Sequence, residues 1–197
     1  ARFVNPPSLE TTIGNHTYRL RSEDELWPLY FLHILADVGG LLKTSPARRW
    51  QLTAQGRCFL DARPMVQVPV LLAVWWYRVN WLVAYPVVGL GDRLPYSFSQ
   101  DALAALQTLP VGKDISFEGF ADGLICETGL TWTAPDSRFS RLSLHGAIQR
   151  MVIDPLVDFG ALECRYQEEP LGKGTLSRLV AFRITPWGIA LLETMDR

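Results

Sequence analysis

The chain has 197 residues, 48% hydrophobic and 20% charged. That supplies a real core for one large domain or two small ones and excludes a disordered chain. Its 19 Lys and Arg against 20 Asp and Glu leave a net charge of -1, which excludes the global basic excess of a dedicated nucleic-acid binder and confines any such contact to local patches. Residues 1–21, with Pro6, Pro7 and Gly14, read as irregular apart from a short strand near Thr17 to Leu20. The chain opens Ala1-Arg2-Phe3 without Met, as a processed protein or a piece of a longer one would. Ser22-Glu23-Asp24-Glu25 has the composition of a capping box, with the Ser hydroxyl accepting an amide and Glu25 reaching back. Pro28 then kinks that helix or starts a second one, which runs through Ala36 until Gly39 and Gly40 stop it.

A hairpin follows, Leu41 to Lys43 and Arg48 to Leu52 about the turn Thr44-Ser45-Pro46-Ala47. Thr53 caps a helix from Ala54. After Arg63-Pro64 comes an apolar helix over Val66 to Trp81, too short for a membrane span. Leu82 to Ser97 is rich in Pro and Gly and reads as a linker. Helices are predicted at 99–109 and at 117–128, the second capped by Ser116, with a loop from Thr131 to Asp136. A helix over 142–159 is disturbed by Pro155. Strands near 162–166 and 179–184 flank a longer turn, Gln167 to Ser177, and a last helix runs from Pro186 to Met195.

The order helix, Gly stop, strand, turn, strand, Thr cap, helix therefore occurs twice. Asp37-Val38-Gly39-Gly40-Leu41 aligns with Asp158-Phe159-Gly160-Ala161-Leu162. Gln51-Leu52-Thr53-Ala54-Gln55-Gly56 aligns with Arg183-Ile184-Thr185-Pro186-Trp187-Gly188. A Gly supplies the left-handed residue that ends a helix, and the Thr hydroxyl takes an orphan amide of the next. The Gly inside that next helix costs about 1 kcal/mol against Ala, which close approach of another element would offset.

This order resembles the winged-helix fold, over roughly residues 22–61 and 143–195. It is similar to winged-helix segments of uncharacterised bacterial proteins and helicase-associated regions. There a glycine-leucine step precedes a wing that ends in a string like Phe182-Arg183-Ile184-Thr185-Pro186-Trp187-Gly188. The resemblance implies a mostly helical α+β protein with two winged-helix-like units and a helical middle region. The expected divisions are an irregular segment at 1–21, a first unit with its long apolar helix at 22–81, a linker and helical middle at 82–142, and a second unit at 143–197. It also implies that the helix before each hairpin is a recognition helix and each hairpin a wing.

Both candidate recognition helices depart from a base-reading surface. Pro28 to Val38 is apolar nearly all round, with His33 reading as a core histidine. Leu144 to Phe159 offers His145, Gln149 and Arg150 but also Asp154 and Asp158, which repel phosphate. The wings carry the cations. Lys43, Arg48 and Arg49 lie on the first, with Arg57 just after, and Arg165, Lys173, Arg178 and Arg183 lie on the second. Such residues in a strip make phosphate contacts without sequence readout. Scattered on a hairpin, they are ordinary solvated charges, and Glu168 and Glu169 oppose them.

The rival expectation is a protein-interaction or structural module. Trp75 and Trp76 are consecutive on one helix and are not expected to face one core. One of them is therefore a candidate interface residue, toward another protein, toward the rest of a longer parent chain, or between the two halves of this one.

No enzyme is expected. G-x-S-x-G and H-E-x-x-H are absent, and the three His lie in separate segments. Gly172-Lys173-Gly174-Thr175 lacks the spacing of a phosphate loop. No cofactor or metal is implied. Cys58, Cys126 and Cys164 form no C-x-x-C pair or disulfide framework, and no signal peptide opens the chain, so a reducing cytoplasmic setting is expected. Asn15-His16-Thr17 is a chance sequon in that setting. Cys58, on the helix after Thr53, is expected to be buried.

Overall fold

The computed structural model describes residues 10–13, 16–19, 26–45, 49–84, 94–132, 137–171 and 174–196. The Ser22–Glu25 capping box, Arg48 and Lys173 lie outside them. Strands β1 (Glu10–Ile13) and β2 (His16–Arg19) pair antiparallel, where only one strand was expected. Thr11, Thr12 and Ile13 are β-branched and suit an extended backbone.

Helix α1 (Trp27–Val38) holds Pro28 in its first turn, where the missing amide has no intrahelical partner to lose. Gly40, at φ 69°, reverses the chain into β3 (Leu42–Thr44), which pairs with β4 (Trp50–Leu52). Helix α2 (Ala54–Asp61) follows at once, then α3 (Pro64–Tyr77) and a single turn α4 (Trp81–Ala84). The middle holds α5 (Phe98–Gln107) and α6 (Phe117–Thr128), the latter capped by the Ser116 hydroxyl.

A continuous helical run then comprises α7 (Ser137–Ile148), a π turn (Gln149–Ile153) and α8 (Asp154–Asp158). Gly160, at φ 73°, leads into β6 (Leu162–Leu171) and β7 (Gly174–Ile184). Helix α9 (Pro186–Glu193) and a short 3-10 turn (Thr194–Asp196) end the described chain.

The two helix–hairpin–helix joints agree atom by atom. The Gly40 amide donates to the Asp37 carbonyl and the Leu41 amide to Ala36, at 2.9 and 2.8 Å. The Gly160 amide donates to Val157 and the Ala161 amide to Leu156 at the same distances. The Thr53 hydroxyl donates to the Gly40 carbonyl at 2.8 Å and accepts the Gly56 amide at 2.9 Å. The Thr185 hydroxyl does the same with Gly160 and Gly188, at 2.9 and 2.8 Å.

A Cβ on Gly56 would stand 2.1 Å from the Leu41 carbonyl oxygen, and one on Gly188 2.1 Å from that of Ala161. This close approach is the reason for a glycine inside each helix. It also corrects the upstream alignment by one residue. Gly160 corresponds to Gly40, not Gly39, because the positive φ falls there. Ala161 accordingly answers Leu41.

The hairpins differ more than the sequence suggested. Strand was expected to end near 166 and resume near 179, with a long turn between. Instead the β6–β7 ladder continues to Leu171 opposite Gly174. Gln167, Glu168 and Leu176 to Arg178 are solvent-facing and Glu169 is half-buried, with no apolar alternation, so backbone pairing and the Arg178–Glu169 contact at 3.4 Å hold that half. The strand β5 (Ile115–Ser116) was not foreseen, since two residues carry no period. It pairs with β7 at Phe182 and Ala181, giving the sheet order β5-β7-β6.

One apolar core draws on α1, α3, the middle helices, the α7–α8 run, β7 and α9. Trp75 sits at its centre with no exposure, and Phe31 of α1 meets it edge-on at 5.1 Å. Pro155 can return no amide to Met151 four residues earlier. The Trp75 indole N–H donates to that carbonyl instead, at 3.0 Å.

The expectation that Trp75 and Trp76 cannot share a core is corrected. Both are buried, because α3 is covered on more than one side. The Trp76 indole donates to the Ser99 carbonyl at 2.8 Å, and Trp81 donates to that of Trp75 at 2.8 Å. The interface assignment of Trp75 and Trp76 resolves to contacts inside this chain. Among the described residues no helix is long and apolar enough to cross a membrane.

Candidate nucleic-acid interface

Charge is distributed unevenly along the chain. The first unit, residues 22–81, carries six cations (Lys43, Arg48, Arg49, Arg57, Arg63, Arg78) against Glu23, Asp24, Glu25, Asp37 and Asp61, a net of +1 in a chain of -1, with its cations on and after the hairpin and three of its acids at its start. The short hairpin sets Lys43 directly across from Gln51, both exposed, and Arg49 is exposed just before β4. The Arg57 guanidinium donates to the Leu52 carbonyl at 3.2 Å, which holds it beside the end of β4. Among the described residues, no carboxylate comes within ion-pair reach of Lys43, Arg49, Arg57, Arg63 or Arg78.

The second hairpin is the opposite case. Arg165 pairs with Asp114 at 3.3 Å, and Arg178 with Glu169 at 3.4 Å and Glu118 at 3.9 Å. Arg183 pairs with Glu163 across the ladder. Its three described cations are therefore each met by a carboxylate. Asp154, on the helical run before this hairpin, is half-buried, accepts from Gln149 at 3.3 Å, and is pushed up in pKa by that burial.

Helix α1 presents Leu29, Leu32 and Asp37 to solvent. His33, read from sequence as a core residue, is half-buried, with its ring edge-on to Trp50 at 4.0 Å.

The sequence reading missed a polar cluster between α6 and α7. His145 is the buried polar residue of the described core, and its Nε2 lies 2.8 Å from Asp122 Oδ1. Arg141, one turn earlier on α7, grips both oxygens of Asp122 and reaches Glu118 at 2.8 Å. The Arg141 hydrogen bond foremost, then His145, holds the Asp122 carboxyl down at about 2 against a desolvation effect that raises it. The cluster borders a cleft of about 420 Å³ lined by Glu118, His145, Gln149 and Arg178. The i, i+4 spacing of Arg141 and His145 was visible in sequence, but Asp122 is on another helix and only packing supplies it. Its evident work is to tie α6 to α7.

Cys58 is exposed, which corrects the expectation of burial. Gly56 is the buried residue of α2, and a side chain two positions on points about 200° away around the helix. Cys164 is half-buried, and burial pushes its thiol up to about 11. Among the described residues no group of His, Cys, Asp and Glu could hold a metal ion.

Known proteins add little. No protein-family model and no curated protein matches this chain. A solved structure of restriction endonuclease FokI is similar over 85% of this chain and 30% of that one, at 14% identity and a TM-score of 0.36. Likeness at that level has no bearing on fold or function.

Proposed function

We propose that this chain is a non-catalytic pair of winged-helix units, and that the first unit binds nucleic acid through its wing without sequence readout. The reading is carried by the contrast in charge. No described cation of the first hairpin and its neighbours is met by a described carboxylate, while the described cations of the second hairpin are ion-paired. Lys43 and Arg49 contact phosphates, and the apolar α1 reads no bases. Fluorescence polarisation of labelled duplex across a salt series tests this. Binding should weaken steadily with salt, and replacing both Lys43 and Arg49 by Ala should reduce the slope of log K on log salt by about 2. Absence of binding to duplex and single strand alike, at micromolar protein and low salt, overturns it.

A second reading rests on a different observation. Leu29 and Leu32 are 46% and 39% exposed where a recognition helix would offer polar groups. That face suits a protein partner, whether a separate protein or the rest of a longer parent chain. A photo-crosslinker at position 32 would then give one discrete protein adduct, and a crosslinker at position 176 on the second hairpin would not.

A further inference from the structure

We infer that the first unit also holds a stacking site for an unpaired base, with the Trp50 indole as its platform. This rests on the nucleic-acid reading above and names the form of nucleic acid that the unit prefers. Seven tryptophans occur in the chain and all are described. Trp75, Trp76 and Trp81 are buried, and Trp27, Trp132 and Trp187 are half-buried. Trp50 alone is exposed, at 48%.

Its ring is exposed yet held. Trp50 lies in register across from Thr44, and the His33 imidazole meets it edge-on at 4.0 Å and 80°. The second hairpin also bears an exposed aromatic, Tyr166 of β6 at 47%, but the Arg165 beside it is paired with Asp114 at 3.3 Å. Arg49 precedes Trp50 in the chain. Arg57 reaches the carbonyl of Leu52, whose side chain shares the Trp50 face of the strand. Neither cation has a described carboxylate partner.

A fixed, exposed aromatic ring on a strand whose end holds the Arg57 guanidinium is an arrangement that takes a base on its face and an adjoining phosphate on the charge. A duplex hides the faces of its bases, so the ligand class is single-stranded DNA or RNA. Stacking accepts any base, which matches the proposed binding without sequence readout.

The experiment compares oligothymidylate, oligouridylate and a duplex of equal length by polarisation, using the whole chain and three variants. W50A should weaken binding of the single strands about ten-fold and leave the duplex unchanged. W50F should retain most of the affinity, because a ring remains. K43A/R49A should weaken single strand and duplex together. Oligothymidylate should also quench the part of the tryptophan emission that W50F removes. Equal loss for the thymidine and uridine oligomers assigns the site to unpaired bases of either sugar, and loss for one alone assigns it to that polymer.

If W50A lowers single-strand and duplex binding equally, or lowers neither, stacking is overturned and the phosphate reading stands. If no oligonucleotide binds, both fall. Should W50A misfold by circular dichroism, W50F and the quenching decide. Retained quenching supports the site, and its absence in a wild-type protein that binds oligothymidylate overturns it.

Discussion

The two helix–hairpin–helix units share a joint and differ in what they do with it. Each joint closes through backbone atoms, a glycine in the left-handed region, a threonine hydroxyl that donates and accepts, and a helix glycine against a carbonyl. Beyond that the hairpins part company. The strands of the first are three residues long, and its side chains face solvent along nearly their whole length. Those of the second run ten and eleven residues, and Leu179, Ala181, Phe182 and Ile184 enter the core. The lesson is that the joint is a packing device indifferent to charge and to how far its hairpin enters the core.

The comparison can be broken most forcefully at the joints. Gly188→Ala and Gly56→Ala each place a methyl on backbone, and each should cost about 3 kcal/mol in urea unfolding. A cost under about 1 kcal/mol at Gly56 alone would show that the first joint yields and the second does not. Next in size is the connection that joins the units through α3. Trp75→Phe leaves the Met151 carbonyl without its indole donor and should cost about 2 kcal/mol, with a transition that stays single.

The threonine caps sharpen the equivalence. Thr53→Ala and Thr185→Ala should each cost about 1–2 kcal/mol, and should match one another within error.

The smallest effect has no described counterpart in the first unit. The Asp122 pKa is lowered from 3.8 to about 2, so its stabilisation is present above about pH 4 and is lost as pH falls toward about 2. The side chain is 40% exposed, so solvent screening keeps the contribution below about 1 kcal/mol. Asp122→Asn should flatten the stability-against-pH curve between pH 4 and 2, measured by denaturant midpoints.

How far the sequence could be read follows from the range of each signal. Thr53 and Thr185 were legible because a cap is decided within three residues, as was the stop at Gly160. The upstream register slipped by one because Gly39-Gly40 offers two candidates and only the positive φ of Gly40 chooses. The outer half of the β6–β7 ladder was illegible because neither face is buried there, and alternation is a signal of burial. Burial of both Trp75 and Trp76 depends on α3 being covered from several sides, which no window on one helix can report. For the candidate site, Lys43 and Arg49 were found by composition alone. Distinguishing them from Arg165 and Arg178 required the carboxylates of Asp114, Glu118 and Glu169, of which two lie on distant segments. Trp50 was overlooked because exposure of one tryptophan among seven is a property of the packed chain.

The carbonyl contacts at Leu41 and Ala161 have a consequence for change over time. Since each joint closes on main chain, the exposed outer part of a hairpin can be lengthened, shortened or recoded without disturbing the seat of the helix that follows. A loop of foreign sequence spliced between residues 171 and 174 would leave the socket below intact. Descendants of one ancestral unit could thus drift into a buried brace and an open flap while keeping the same hinge.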